Sequence, residues 1–544
     1  MKVTRKTLSV ILATAAALSV TACNGGESGG QGGGQAGGTT TTAPVNTVNT
    51  SFDEAEVPDI DQNAETGIIK YLTYENNFTG ASADMITLFK ERYGGEIEVE
   101  ATATSLTYAE MLGTRIATGD SPDIVRYEGW AFPHGASFNM FTPLDTYINL
   151  DSELWAGIKD VANQFVYNGK HFYVPYLTCP HFALNYNNRV LEENGMPDPV
   201  QYVYDNTWDW NKFEEMLKRW KDIDPVNHIS YNGVGALSFS YTTGKKIIDV
   251  ENGNIINNLR DPDIVRCMQW LENLKKQNLV GASTEQMAAG MPSGFVDPGE
   301  AFRDGNLLFL GMGATWTYEA AKENLDKANI PNEMKYIPFP RDPQADAWYQ
   351  LSTTYGYLVP AGAKNVKGAI DWITLLRTEQ TDPDNVAHEK DKLCDDSPAY
   401  YPVCPNSDCG DTENGDDKGR HMFTSEENAA GMNTCPVCGT ERREKYKVVW
   451  TEEQYDINQE LITDGGRYVL VYDYLYGFSN DFKGLFVDGN DNLLDGLLFG
   501  EIGSYTQRVE EIWGSVEGYL QPYRDRMQAD ARGEEVTTTP PQAD

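Results

Sequence analysis

Positive charge is scarce in this 544-residue chain: 43 Lys and Arg stand against 81 Asp and Glu, a formal net charge of -38. Phosphate binding needs basic side chains to release counterions, so nucleic acid and anionic bilayer surfaces are excluded as main partners, while neutral and cationic ligands stay open. Long apolar runs are missing as well. Beyond the first residues no stretch reaches the roughly 18 apolar side chains that cross a bilayer, which predicts a soluble body. Nor is there a G-x-S-x-G elbow, a P-loop or an H-E-x-x-H helix; their absence removes only the most readily recognised enzymes. No internal repeat is visible.

What is present begins with a basic start, Met1 to Lys6, an apolar run from Leu8 through Val20, and then Thr21-Ala22-Cys23. These are the parts of a secretory signal over residues 1–22, too short to span comfortably. Cysteine directly after Val-Thr-Ala resembles the bacterial lipobox, so Cys23 is the expected lipid attachment point, with ordinary signal cleavage nearby as the alternative. Residues 23–64 are rich in Gly, Ser, Thr and Gln, with few apolar side chains, and read as a flexible tether. The polar tail 531–544 is expected to be unstructured.

The body alternates short strands and helices. "GIIKYLTY" reads as a buried strand, and Met85, Leu88 and Phe89 share a helical face that Gly94 ends. "EIEVEAT" and "PDIVRY" follow as strands around a further helix. Asn168-Gly169 in "FVYNGKHFYVPY" marks a two-residue hairpin. Phe213, Leu217 and Trp220 fall near one helical face started by Thr207 or Asp209, and residues from Ile502 to Leu520 recur at helical spacing. Alternation of this kind predicts a largely parallel sheet, with ligand at the carboxyl ends of its strands.

Six segments in order, "SPDIVRYEGWAFPHGASFNMFTPLDTYI", "YNGKHFYVPY", "ALNYNNRVLEENGMPDP", "TWDWNKFEEMLKRWK", "AFRDGNLLFLGMGATW" and "TTYGYLVPAGAKNVKGAIDWITLL", resemble the family 1 extracellular solute-binding proteins of ABC importers. The resemblance implies an α/β, two-lobed periplasmic-binding-protein-like fold (type II). Lobe 1 would take 65–180 and 346–376, and lobe 2 would take 181–345 and 377–530. It also implies a carbohydrate ligand trapped between the lobes, ABC transporter permease subunits as partners, a monomer, and no catalysis.

A sugar offers apolar C–H faces and a ring of hydroxyls, so its site needs flat aromatic surfaces beside polar groups. Tyr74, Glu75 and Asn76 follow the first strand, Trp130 follows "PDIV", and Tyr176 ends the hairpin segment. Trp316 follows "GMGAT", and Tyr355 precedes Gly356 on the expected return strand. These seven are the candidate ligand-binding residues, with a place in the core as the alternative for each aromatic. Glu128 is expected to be a solvated carboxylate.

Of eight cysteines, Cys179 and Cys267 stand apart in sequence, and five cluster between Cys394 and Cys438. "CPNSDCG" and "CPVCG" look like two knuckles. Cys404, Cys409, Cys435 and Cys438 are the candidate ligands of a structural zinc in a ribbon-like insertion over 392–445, although the first pair has four intervening residues instead of two. Disulfides Cys404–Cys409 and Cys435–Cys438 are the alternative, because thiols pair in oxidising compartments. His421 is expected at the surface, a replacement ligand being the other reading. For the whole chain, the functional alternatives are a glycosidase or lyase, or a binding protein for a peptide or another solute.

Overall fold

The computed structural model describes residues 66–534 apart from 75–80, 103–104, 234, 252, 282–297, 395–399, 405, 407–408, 412–419, 425–426, 428–430, 442, 447, 464, 488–491, 499 and 501. The expected signal, Cys23, the tether, Glu75, Asn76 and residues 535–544 of the tail lie outside the described residues.

The first lobe grows from β1 (Gly67–Thr73), α1 (Ala81–Tyr93), β2 (Gly95–Ala101), α2 (Ser105–Thr118) and β3 (Ile124–Arg126). Helices cover this sheet on its faces, so its inner strands β1 and β3 bury Ile69, Tyr71, Leu72, Ile124 and Val125, while the edge strand β2 alternates with Glu96, Glu98 and Glu100. β1 pairs in parallel with β2 on one side and with β3 on the other. The Asn168-Gly169 turn joins β4 (Val166–Tyr167) to β5 (Lys170–His171), both turn residues at positive φ, as the sequence predicts.

β6 (Leu177–Pro180) then leads through His181 into β7 (Phe182–Asn187), which belongs to a second sheet. That lobe is built from α3 (Trp210–Ile223), β8 (Ile229–Gly233), α4 (Ala236–Tyr241), the hairpin β9 (Ile248–Glu251) and β10 (Asn254–Asn257), α5 (Pro262–Lys276), β11 (Leu307–Gly313), α6 (Ala314–Lys327) and β12 (Met334–Ile337). Its sheet order is β12-β7-β11-β8. α3 starts where Asp209 accepts from the Lys212 N–H at 2.9 Å, and it buries Trp210, Phe213, Met216, Leu217 and Trp220.

The chain returns through β13 (Tyr349–Tyr355), antiparallel to β6, and β14 (Tyr357–Leu358), which closes the first sheet as β14-β3-β1-β2. Between them Gly356 leaves no room for a side chain: a Cβ there would lie 2.6 Å from the Tyr173 ring. α7 (Val366–Thr381) packs on the first lobe, and α8 (Pro383–Cys394) leads to the cysteine-rich segment between β15 (Tyr400–Val403) and β16 (Arg443–Tyr446). The chain rejoins the second lobe at Trp450. Its N–H bonds the Leu393 carbonyl at 2.9 Å, and its indole bonds Glu319 of α6 at 3.1 Å. α9 (Glu452–Ile462) follows, and β17 (Val469–Val471) then adds to β13 in parallel as a third strand between the sheets.

The last helix, α10 (Tyr505–Arg532), runs past Ala529, where the composition turns polar, and ends at Gly533 in the left-handed region. Burial of Arg526, Met527 and Ala529 and a 2.6 Å bond from the Tyr167 hydroxyl to Asp530 hold the extra turn. Among the described residues no helix is long and apolar enough to cross a membrane.

Candidate binding cleft and thiol cluster

Because β1 and β3 are parallel neighbours, their carboxyl ends bring Tyr74 beside Glu128. The Tyr74 hydroxyl donates to Glu128 Oε1 at 2.9 Å, and Arg126 Nε lies 3.4 Å from the same oxygen. Glu128 is therefore a networked carboxylate and not the solvated one that the sequence predicts. The Tyr74 ring meets Tyr108 edge-on at 5.5 Å, and Tyr108 meets Trp130 edge-on at 6.2 Å. Trp130 is partly buried and leans on Phe141, which fixes its plane.

From the crossing strands, Tyr176 stacks on Tyr357 with planes 16° apart, and Tyr355 ends β13. Burial raises the Tyr355 phenol to about 12, with Arg126 pulling it back and Glu128 pushing it up. Burial likewise raises Tyr176 and Tyr357, again against the pull of Arg126. Tyr74, Trp130, Tyr176 and Tyr355 thus gather on one wall around a single guanidinium–carboxylate pair. Trp316 stands on the other lobe, in the first turn of α6, partly buried. Arg126 escaped the sequence reading; its signal was a basic residue at the end of a strand in a chain poor in positive charge.

Below this wall lies a buried polar cluster that joins the lobes. Asp473, just after β17, accepts from Tyr241 of α4 at 2.5 Å and from the Leu475 N–H at 3.1 Å. Burial raises its carboxyl to about 6, against the pull of these bonds and of Lys246. Burial lowers the Lys246 ammonium to about 8, although Asp249 and Asp473 favour its charge; it donates to the Tyr474 hydroxyl at 2.8 Å. The Tyr474 ring packs on Phe132 and Phe165 of the first lobe.

The four candidate metal ligands come together in the insertion, their sulfurs all within 4.8 Å of one another. Zn–S bonds of about 2.3 Å in a regular tetrahedron would put the sulfurs about 3.8 Å apart, so the set fits one such ion. All four are free thiols, with the short contacts running between knuckles: 3.4 Å for Cys404–Cys438 and 3.5 Å for Cys409–Cys435. Gly410 and Gly439 have positive φ after each pair. Burial raises the Cys404 and Cys409 thiols, against the pull of the Asn406 and His421 backbone N–H groups that donate to them, whereas the Thr440 hydroxyl and N–H lower Cys438 to about 5. His421 is neither exposed nor a ligand. It is 1% exposed, bonded through Nδ1 to Asp411 and through Nε2 to Glu427 at 3.0 Å.

A model of the bacterial extracellular solute-binding proteins matches residues 84–387, more than half of the chain. The chain belongs to that family. No curated protein matches its sequence. Among solved structures, the family member resembles UspC of Mycobacterium tuberculosis at 14% identity and TM-score 0.51, covering 83% of this chain and 99% of that one. It resembles a binding protein, MsmE, of Bacillus subtilis in an open conformation at 13% and 0.50, covering 84% and 98%. A sugar transporter structure of Rhizobium etli, also open, matches at 13% and 0.50, covering 86% and 100%. At these identities the likeness concerns the fold, two α/β lobes joined by crossing strands.

Proposed function

We propose that this solute-binding protein captures a carbohydrate between its lobes and hands it to the permease of an ABC importer. Cys23 would carry the lipid that holds it, as a monomer, on the outer face of the cell membrane. The observation that carries the reading is the aromatic wall of Tyr74, Trp130, Tyr176 and Tyr355 around Arg126 and Glu128. Ring faces suit the C–H side of a sugar, and a fixed donor beside a fixed acceptor suits adjacent hydroxyls. An acidic sugar would have to displace Glu128 from Arg126 and then sit beside it, so neutral saccharides are favoured. The R. etli neighbour named a sugar transporter supports the reading at the level of fold. Glu128, tied to Tyr74 and Arg126, supports a hydrogen-bonding role toward ligand hydroxyls.

Thermal denaturation with a panel of neutral and uronic mono- and oligosaccharides tests this. A saccharide that binds the folded state raises the melting temperature by mass action. Replacing Trp130 or Trp316 by Ala should then weaken binding of that saccharide by about 1 kcal/mol or more, roughly fivefold. A protein indifferent to the whole panel overturns the proposal.

In the insertion, a structural Zn²⁺ on Cys404, Cys409, Cys435 and Cys438 fits the sulfur spacing and the N–H donors. Four thiolates leave no position for a reactive water, so its contribution is folding energy.

A further inference from the structure

The insertion has a small core of its own. Cys404, Cys409, Cys435 and Phe423 are buried together, with Met432 and Cys438 against them, apart from the main core of the lobes. A cluster this small cannot offset the ordering of its chain, so something must staple the segment. Metal is one staple. The sulfur geometry holds a second, in a chain whose expected export signal leads to a compartment where thiols oxidise.

We infer that the four thiols form an oxidation site that closes in two two-electron steps as Cys404–Cys438 and Cys409–Cys435, joining the two knuckles instead of closing each on itself. Both pairs already sit at 3.4 and 3.5 Å, and the bonds would enclose sequence separations of 34 and 26 residues. The within-knuckle bonds Cys404–Cys409 and Cys435–Cys438 would close only short loops. Loop-closure entropy grows with loop length, so a pairing between the knuckles constrains the unfolded segment more than one within each, and of the two such pairings the sulfur contacts select this one. The segment thus keeps one fold in two chemical states, reduced and metal-bound or oxidised and metal-free. This goes beyond the zinc reading and stands on the sulfurs alone.

The reaction balances with a peroxide as the oxidant. Two S–H bonds break and one Sγ–Sγ bond forms, releasing two electrons and two protons. The O–O bond of hydrogen peroxide breaks, takes them up and leaves two waters. Two such events oxidise the cluster. Where metal is held, the thiolates supply the electrons, solvent supplies the protons, and the ion departs.

The test uses the full chain purified anaerobically, with metal content measured first. One portion keeps its metal and another is treated with EDTA; both then receive hydrogen peroxide, and remaining thiols are blocked with N-ethylmaleimide. Trypsin cuts after Lys418 and Arg420, between the knuckles, and Asp-N cuts before Asp408, between Cys404 and Cys409. Non-reducing tandem mass spectrometry, with fragmentation between Cys435 and Cys438, should find Cys404 joined to Cys438 and Cys409 to Cys435; Cys404 joined to Cys435 overturns the inference. Tryptic digestion of the intact oxidised protein should leave the segment's ends joined until a reductant is added. Within-knuckle pairs, or four cysteines that stay thiols or proceed to sulfonic acids, overturn the inference whatever the metal content. Absence of metal from the reduced protein as purified, followed by crossed pairs on oxidation, would instead end the zinc reading and leave this one standing.

Discussion

Replacing Asp473 by Asn removes a buried charge that links the lobes, and its effect can be sized. The folded carboxyl titrates near 6, raised by burial, against about 3.9 in an unfolded chain. At roughly 1.4 kcal/mol per pKa unit, ionised Asp473 costs the folded state about 3 kcal/mol relative to the protonated acid. The folded pKa is the higher one, so the folded state holds its proton longer. The associated stability is present in full below the unfolded pKa and is lost as pH rises through about 6. Asn cannot titrate. Its Oδ1 can keep the Leu475 N–H while its amide donates to the Tyr241 hydroxyl, so any remaining difference is constant and the quantity to follow is the trend of the variant-minus-wild-type difference with pH. That difference should rise in favour of Asn by somewhat over 2 kcal/mol between pH 4 and pH 7. Lys246, the nearest cation, titrates at about 8 and keeps its charge through this window. Urea denaturation followed by tryptophan fluorescence at each half unit of pH gives the curve. A difference that stays flat, or that falls with pH, refutes the burial argument and with it the role of Asp473 as a costly interlobe anchor.

Two further outcomes are expected. Gly233 has φ +98°, and a Cβ there would lie 2.4 Å from the Gly311 carbonyl oxygen across the β8–β11 pairing; Gly233→Ala should lower stability by about 3 kcal/mol or more, read as a fall in the urea midpoint or in soluble yield. His421→Ala leaves Asp411 and Glu427 facing each other without their shared imidazole. The variant should release zinc to a colorimetric chelator faster than wild type and be cut sooner between Cys394 and Trp450 by protease, while the melting of the lobes stays within a degree; unchanged release would reduce His421 to a passive filler.

Features set by neighbours in sequence were legible. The Asn168-Gly169 hairpin, the Asp209 cap and the glycine stop after α1 each depend on a few consecutive residues, and each stands in the structure. The succession of strands and helices was enough to expect an α/β fold, while the two lobes were implied by the resemblance to solute-binding proteins; the antiparallel pairing of β7 with β11 and β12 went unread. Distant contacts were not legible. Glu128 looked solvated because nothing local announces that Tyr74 and Arg126 will converge on one of its oxygens. His421 looked exposed because its flanks are polar, yet two carboxylates permit an imidazole to be buried there. The last turn of α10 looked like a tail since its docking surface, Ser137, Phe138 and Tyr167, comes from far earlier in the chain. The Asp473–Tyr241 and Lys246–Tyr474 bonds tie segments separated by more than two hundred residues, and no pattern in either segment signals the other.

Docking of α10 also bears on how the proposed capture must move. Its first half is held by the second lobe, through Arg260–Glu510 at 2.6 Å and Asn257–Glu517 at 2.8 Å. Its last turns also reach the first lobe, through His134–Tyr523 at 2.8 Å, Arg526 over the Phe138 ring and on the Ser137 carbonyl, and Tyr167–Asp530, while Arg524 still donates to the Ile255 carbonyl of β10 at 2.7 Å. A helix of 28 residues is about 42 Å long and cannot stretch to follow two lobes that separate freely, although Pro522, which removes one backbone hydrogen bond, is a place where it can bend. Breaking its lobe 1 contacts would expose Tyr523, Arg526 and Met527, all now buried. The crossing strands β6, β13 and β17, the packing of Tyr474 on Phe132 and Phe165, and the end of α10 all join the lobes. Any separation of the lobes therefore has to carry or strain the C-terminal helix, far though it is from the ligand wall in sequence.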